Sequence, residues 1–132
     1  MKDPELDERY FEYQMLVNQI KQIQQQVEVL TQHLLELSGI KEGLNEVSIS
    51  ELGKELLVPL GPGVFIKSSL KDNKEAIMRV GAGVAVDKDV DDVKIVVDKQ
   101  IAEVKRLMVD MENELSKMDV RVNQLHYELS GK

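Results

Sequence analysis

The sequence predicts a mostly helical fold with a small β part: a long antiparallel two-helix coiled-coil hairpin whose connecting region carries β-hairpins. Three observations predict it. Two long segments repeat apolar residues at alternating steps of three and four, and the stretch between them is rich in β-formers punctuated by glycine. Aromatic residues make up only 4% of the 132 residues while charged residues make up 31%. That balance suits long, charged helices better than a broad globular core.

The first helix is expected over about residues 4–47. Asp3 can cap it, Pro4 fits the first helical position, and Glu5, Asp7 and Glu8 sit where the helix dipole favours negative charge. Its seam runs through Tyr13, Leu16, Ile20, Ile23, Val27, Leu30, Leu34, Leu37, Lys41 and Leu44, with Lys41 the single polar member. Glutamines and charged residues such as Gln19, Lys21, Gln22 and Glu28 fill the other faces, as in a coiled coil. Gly39 and Gly43 cost about 1 kcal/mol each relative to alanine in a helix interior and mark a weak last turn or a bend.

Residues 48–86 read as β structure. Glu55 to Leu60, Val64 to Leu70, Glu75 to Val80 and Val84 to Val86 are short runs of β-formers, separated by Gly61-Pro62-Gly63, Lys71-Asp72-Asn73-Lys74 and Gly81-Ala82-Gly83. The glycine pairs are poor phosphate cradles: Ile66 and Val86 stand where a dinucleotide fingerprint needs its third glycine, and no G-x-x-x-x-G-K-[ST] occurs. Hairpin turns account for them. Isolated hairpins are marginal in water, so Leu57, Val58, Phe65, Ile66, Ile77, Val80, Val84 and Val86 are expected to meet strands of another subunit, which also covers the open sheet edges. A small self-contained sheet folded against the helices is the alternative.

The second helix is expected over about residues 87–130, with Asp87 or Asp89 as cap and Asp91 and Asp92 in the first turn. Its seam links Val97, Ile101, Val104, Met108, Met111, Leu115, Met118, Val122, Leu125 and Leu129, all apolar. Each helix of about 40 residues is roughly 60 Å long. A narrow stripe on a helix that long needs a second stripe, and the other seam of the same chain is the simplest partner. Parallel homodimeric coiled coils would also satisfy both seams.

Composition narrows function. The formal charge of -7 opposes phosphate backbones, so nucleic acid is not an expected partner. No apolar run approaches a membrane span, the start does not read as a signal peptide, and a soluble cytoplasmic protein is expected. Without cysteine there is no thiol chemistry. His33 and His126 stand apart from any set of metal ligands, and none of the serines lies in a G-x-S-x-G setting. The carboxylates read as solvated helix faces, and Met108, Met111 and Met118 as soft packing. No catalytic, metal or cofactor site is expected, and the chain does not read as an enzyme.

The chain resembles the prefoldin family, in particular the archaeal alpha-type subunit. The likeness rests on Leu57-Val58-Pro59-Leu60-Gly61 with Phe65-Ile66-Lys67, on Val80-Gly81-Ala82-Gly83-Val84 leading into Asp87-Lys88-Asp89, and on the order helix, β-hairpin linker, helix across a single domain of residues 1–132. The resemblance implies a hexamer of two alpha and four beta subunits, with a β-barrel platform built from the hairpins and coiled coils projecting from it. It also implies an ATP-independent chaperone that holds non-native client proteins at the coiled-coil tips and passes them to a group II chaperonin.

The residues give their own reason to look at the tips. Of three tyrosines and two phenylalanines, all but Phe65 lie in the terminal segments that an antiparallel hairpin brings together. Leu6, Tyr10, Phe11 and Met15 fall off the continuous seam, and with Tyr13, Leu125, Tyr127 and Leu129 they form the expected client-binding set. Exposed apolar surface of this kind suits a binder of unfolded chains. Tyr10 and Phe11 could instead simply cap the coiled-coil end. A structural spacer or filament-forming protein on the same fold is the other functional reading.

Overall fold

The computed structural model describes residues 4–131, so the expected cap Asp3 lies outside the described residues. The elements follow in the order α1 (Pro4–Ile49), β1 (Glu55–Gly61), β2 (Val64–Ser69), β3 (Glu75–Gly81), β4 (Val84–Asp89) and α2 (Val90–Leu129). Two compact units divide the chain: one takes in the chain up to Leu34 and from Glu103 onward, the other is Leu35–Ala102.

In the first unit the start of α1 runs antiparallel to the end of α2. Arg9 meets Glu128 at 3.3 Å and Glu12 meets Arg121 at 2.7 Å, so partners on α2 descend as those on α1 ascend. The seam positions Tyr13, Leu16, Ile20, Ile23, Val27, Leu30 and Leu34 are all half-buried among largely exposed neighbours. Across from them, Val104 and Leu125 are buried, and Leu125 is fully so at 0% exposure. Two apolar stripes thus shield each other without enclosing a broad core. The end of α2 is closed by Gly131 at φ 81°, with the Ser130 and Gly131 amides donating to the carbonyls of His126 and Glu128. Glycine reaches this left-handed cap without a Cβ clash.

The second unit repeats the antiparallel logic. Lys41, the one polar seam residue, is exposed and pairs with Asp98 at 2.8 Å, while Lys94 donates to the Ser48 hydroxyl at 3.0 Å. Helix α1 continues through Gly39 and Gly43 to Ile49, beyond the expected end at 47. Leu37, Val97 and Val93 are buried here, with Val90 and Leu70.

Between the helices stand two separate two-stranded antiparallel sheets, β1 with β2 and β3 with β4. Each hairpin has an irregularity just before its turn, between Pro59 and Gly61 in one and between Arg79 and Gly81 in the other. The two are built to one plan, twenty residues apart: Gly61 and Gly63 correspond to Gly81 and Gly83, and Val64 to Val84. In the second turn Ala82 (φ 47°) and Gly83 (φ 76°) are both left-handed, the backbone that matches a tight turn to the strand twist. Strand β4 extends to Asp89, three residues past the expected end at Val86, and α2 accordingly starts at Val90 rather than 87. The reason is pairing: Ile77, Ala76 and Glu75 of β3 need partners, and Asp87, Lys88 and Asp89 supply them. Asp87 is therefore a strand residue, and Asp89 directly precedes the helix. The Val90 amide donates to the Lys74 carbonyl at 2.7 Å, carrying the ladder into the first residue of α2.

The burial of Leu125 sets a stability test. Leu125→Ala is expected to destabilise the helix pair by about 2–5 kcal/mol, whereas Val109→Ala, at an exposed position of the same helix, is expected to stay within about 0.5 kcal/mol. Denaturant unfolding followed by helical circular dichroism checks both; equal effects would contradict the seam assignment.

Candidate functional site: the paired helix ends

The first turns of α1 and the last turns of α2 meet through a small set of polar links. Arg121 forms a two-pronged contact with Glu12, its Nε donating to Oε1 at 2.7 Å and its Nη2 to Oε2 at 2.9 Å. A third nitrogen, Nη1, donates to Gln124 Oε1 at 3.1 Å. The guanidinium fork matches the carboxylate plane, so the pair fixes register as well as adding attraction. The Arg121 hydrogen bonds hold the Glu12 carboxyl below the ordinary carboxylate range, opposed by slight desolvation and aided by the arginine charge. The same bonds hold Arg121 above its ordinary value.

The same helix ends carry a groove of about 380 Å³ lined by Tyr10, Tyr13, Gln14, His126, Leu129 and Ser130. The Tyr13 and His126 rings stand 6.4 Å apart, tilted by 31°. Phe11 and Tyr127 are each 66% exposed, and Tyr10 and Met15 are about half exposed. Leu6 and Leu129 are half-buried. Of the eight residues expected to bind clients, Leu125 is a correction: it is buried in the helix seam and offers no surface. Tyr13 also belongs to the seam, half-buried, and lines the groove. His126 joins the groove wall, a placement that spacing along one helix does not reveal.

A second apolar surface lies on the hairpins. Leu57, Val58, Phe65, Ile66, Ile77, Val80 and Val84 are exposed, Ile77 at 76%, and only Val86 among the expected assembly residues is half-buried. Leu60 and Val64, not among those expected, are exposed beside them. Their signal was present, since both flank the Gly61-Pro62-Gly63 turn in a run of β-formers. Between the strands' ends, Asp72 accepts from the Lys74 amide at 2.7 Å and the Glu75 amide at 3.1 Å, which holds its carboxyl below the ordinary range and orders the loop joining the hairpins. Among the described residues no group of three or more His, Cys, Asp or Glu is placed to hold a metal ion, and no helix is long and apolar enough to cross a membrane.

Two long helices paired by narrow seams, joined through two hairpins with uncovered apolar faces, define a coiled-coil protein with a β-hairpin linker. The family described as "Prefoldin subunit" matches residues 16–132. Prefoldin subunit alpha 1 of Thermococcus kodakarensis is 40% identical over 98 residues, covering 74% of this chain and 67% of the relative. Prefoldin subunit alpha of Pyrococcus horikoshii is 30% identical over 122 residues, covering 92% and 82%. A filamentous prefoldin from Methanocaldococcus jannaschii, solved by cryo-electron microscopy, superposes with a TM-score of 0.74 over 90% of this chain and 98% of that one, at 14% identity. The chain belongs to the prefoldin family.

The Glu12–Arg121 clamp carries a pH dependence. Because folding lowers the Glu12 pKa, the stabilisation is present above the carboxylate range of the unfolded chain and disappears as pH falls through the lower folded value. Glu12→Gln is expected to lower the melting midpoint by no more than a few degrees at pH 7, as befits an exposed pair. Melts of both proteins at falling pH should converge once Glu12 is protonated; a difference that stays constant into strong acid would contradict the assignment.

Proposed function

We propose that the chain is one subunit of an ATP-independent holdase in the cytoplasm. Its hairpins join those of beta-type partners in a β-barrel platform of two alpha and four beta subunits. Its paired helix ends hold non-native proteins and deliver them to a group II chaperonin. The observation that carries this reading is the exposure of Tyr10, which lines the groove, and of Phe11 and Tyr127 on the same paired helix ends, since large aromatics left in water are favoured only where something binds them. The groove binds by apolar contact and aromatic edges, with no catalytic constellation required. Adaptable contact of that kind suits ligands that share little but exposed apolar side chains.

The hairpins support the assembly half of the reading. Seven of the eight expected interface residues are exposed in the single chain, and open strand edges flank them. That the relatives are named as alpha subunits favours a hetero-oligomer over a self-sufficient assembly. A structural, filament-forming role is the second reading. It is favoured by the description of the Methanocaldococcus jannaschii assembly as filamentous, a likeness of fold alone.

One experiment separates these roles. The triple variant Tyr10→Ser, Phe11→Ser, Tyr127→Ser is expected to assemble with beta-type partners at the wild-type mass but to lose most suppression of aggregation of a denatured test protein. Ile66→Asp or Val84→Asp, which places an unpaired charge in the interface at a cost of several kcal/mol, is expected to release subunits. Native mass spectrometry and light scattering read the two outcomes. Full protection by the triple variant would favour the structural role, and an unchanged oligomer in the aspartate variants would misplace the interface.

A further inference from the structure

The charges around the groove are unevenly committed. Among residues 4–13 and 121–131 the chain has two arginines and no lysine. Both arginines are engaged within the helix pair, Arg9 with Glu128 at 3.3 Å and Arg121 with Glu12 through two hydrogen bonds. Asp7 and Glu8 are exposed on the first turns of α1; Glu8 lines a depression with Arg9, Glu12 and Arg121, whereas Asp7 is in no ion pair among the described residues. Helical spacing puts Asp7 beside the aromatics, three and four residues before Tyr10 and Phe11. The Asp7 carboxylate therefore shares a surface with the exposed Tyr10 and Phe11 rings.

From this juxtaposition we propose that the paired helix ends select client segments in which Lys or Arg side chains lie next to large apolar ones. The inference rests on the client-holding reading and names the client chemistry. An ammonium or guanidinium is attracted to an aromatic face and to a nearby carboxylate, and the two attractions reinforce each other where both sit within one helical turn. The apolar neighbours of the cation enter the groove between Tyr10, Tyr13 and Leu129, while its charge stays beside Asp7. A segment bearing Glu or Asp in the same places meets like charge at Asp7 and is disfavoured. Non-native chains carry such basic and apolar combinations on any amphipathic strand or helix, so the preference narrows the client pool without requiring a sequence motif.

The test uses the assembly formed by the full chain and three dye-labelled peptides. All three share one length and the same Leu and Phe positions, with Lys, Gln or Glu at the intervening positions. Fluorescence anisotropy at about 0.1 M salt is expected to rank them Lys, Gln, Glu, with the Lys peptide about fivefold tighter than the Gln peptide, and the gap should shrink at about 1 M salt. In the variant Asp7→Asn the difference between the Lys and Gln peptides should vanish. Equal binding of all three peptides would overturn the charge preference while leaving the holdase reading in place. A preference that survives in this variant would overturn its assignment to Asp7. Failure of every peptide to bind would sink the client-holding reading itself.

Discussion

Everything in this fold follows from the narrowness of an apolar stripe. A helix whose apolar residues recur only at steps of three and four offers one seam to bury, and no arrangement of its own turns can bury it. The chain meets this constraint by pairing two seams head to tail. In each compact unit the register is read directly from cross-helix polar contacts, Glu12 with Arg121 in one and Lys41 with Asp98 in the other. Most seam residues remain half-buried, because two helices cover each other from one side only; full burial is reached at few places, among them Leu125.

The same economy of burial explains the hairpins. Two isolated two-stranded sheets have no layer packed on their faces, so Leu57, Phe65, Ile66 and Ile77 stay in water within a single chain. Such surfaces gain stability only by meeting others like them, and the shared plan of the two hairpins, with matching turns and matching irregularities, gives each subunit two similar edges to offer. On the functional reading advanced above, the paired helix ends keep their own apolar surface for a different purpose. There Tyr10 and Tyr13 line a groove rather than a strand edge, and the Glu12–Arg121 pair ties the two helix ends together.

Much of this was legible in the sequence because periodicity is a local signal. The two seams, the four strands and the glycine turns all appear in the sequence, the fourth strand cut three residues short, and Lys41 stands out as the one polar seam residue for a reason the structure supplies, its ion pair with Asp98. The seam could have been traced further: Val93 and Val90 continue it backwards from Val97 by steps of four and three, and both are buried. The strand ending at Asp89 was hidden because Asp87, Lys88 and Asp89 have a helix-capping composition, and only the length of β3 forces them into a ladder. Leu125 was assigned two roles at once, seam and surface, and geometry permits only the first. The Glu12–Arg121 clamp and the place of His126 beside Tyr13 depend on the register between helices far apart in sequence, which no local pattern encodes.

The central claim is that one chain folds back on itself so that its two seams bury each other, in place of pairing with the like seam of a second molecule. With no native cysteine, spin labels can be placed at Gln14→Cys and Asn123→Cys alone, and dilution with unlabelled chain confines the measurement to pairs within one molecule. Helix axes about 10 Å apart, with the label arms added, place the two spins roughly 20 Å apart. A distribution centred there supports the hairpin; intramolecular separations beyond about 40 Å, far outside that packing distance, would contradict it.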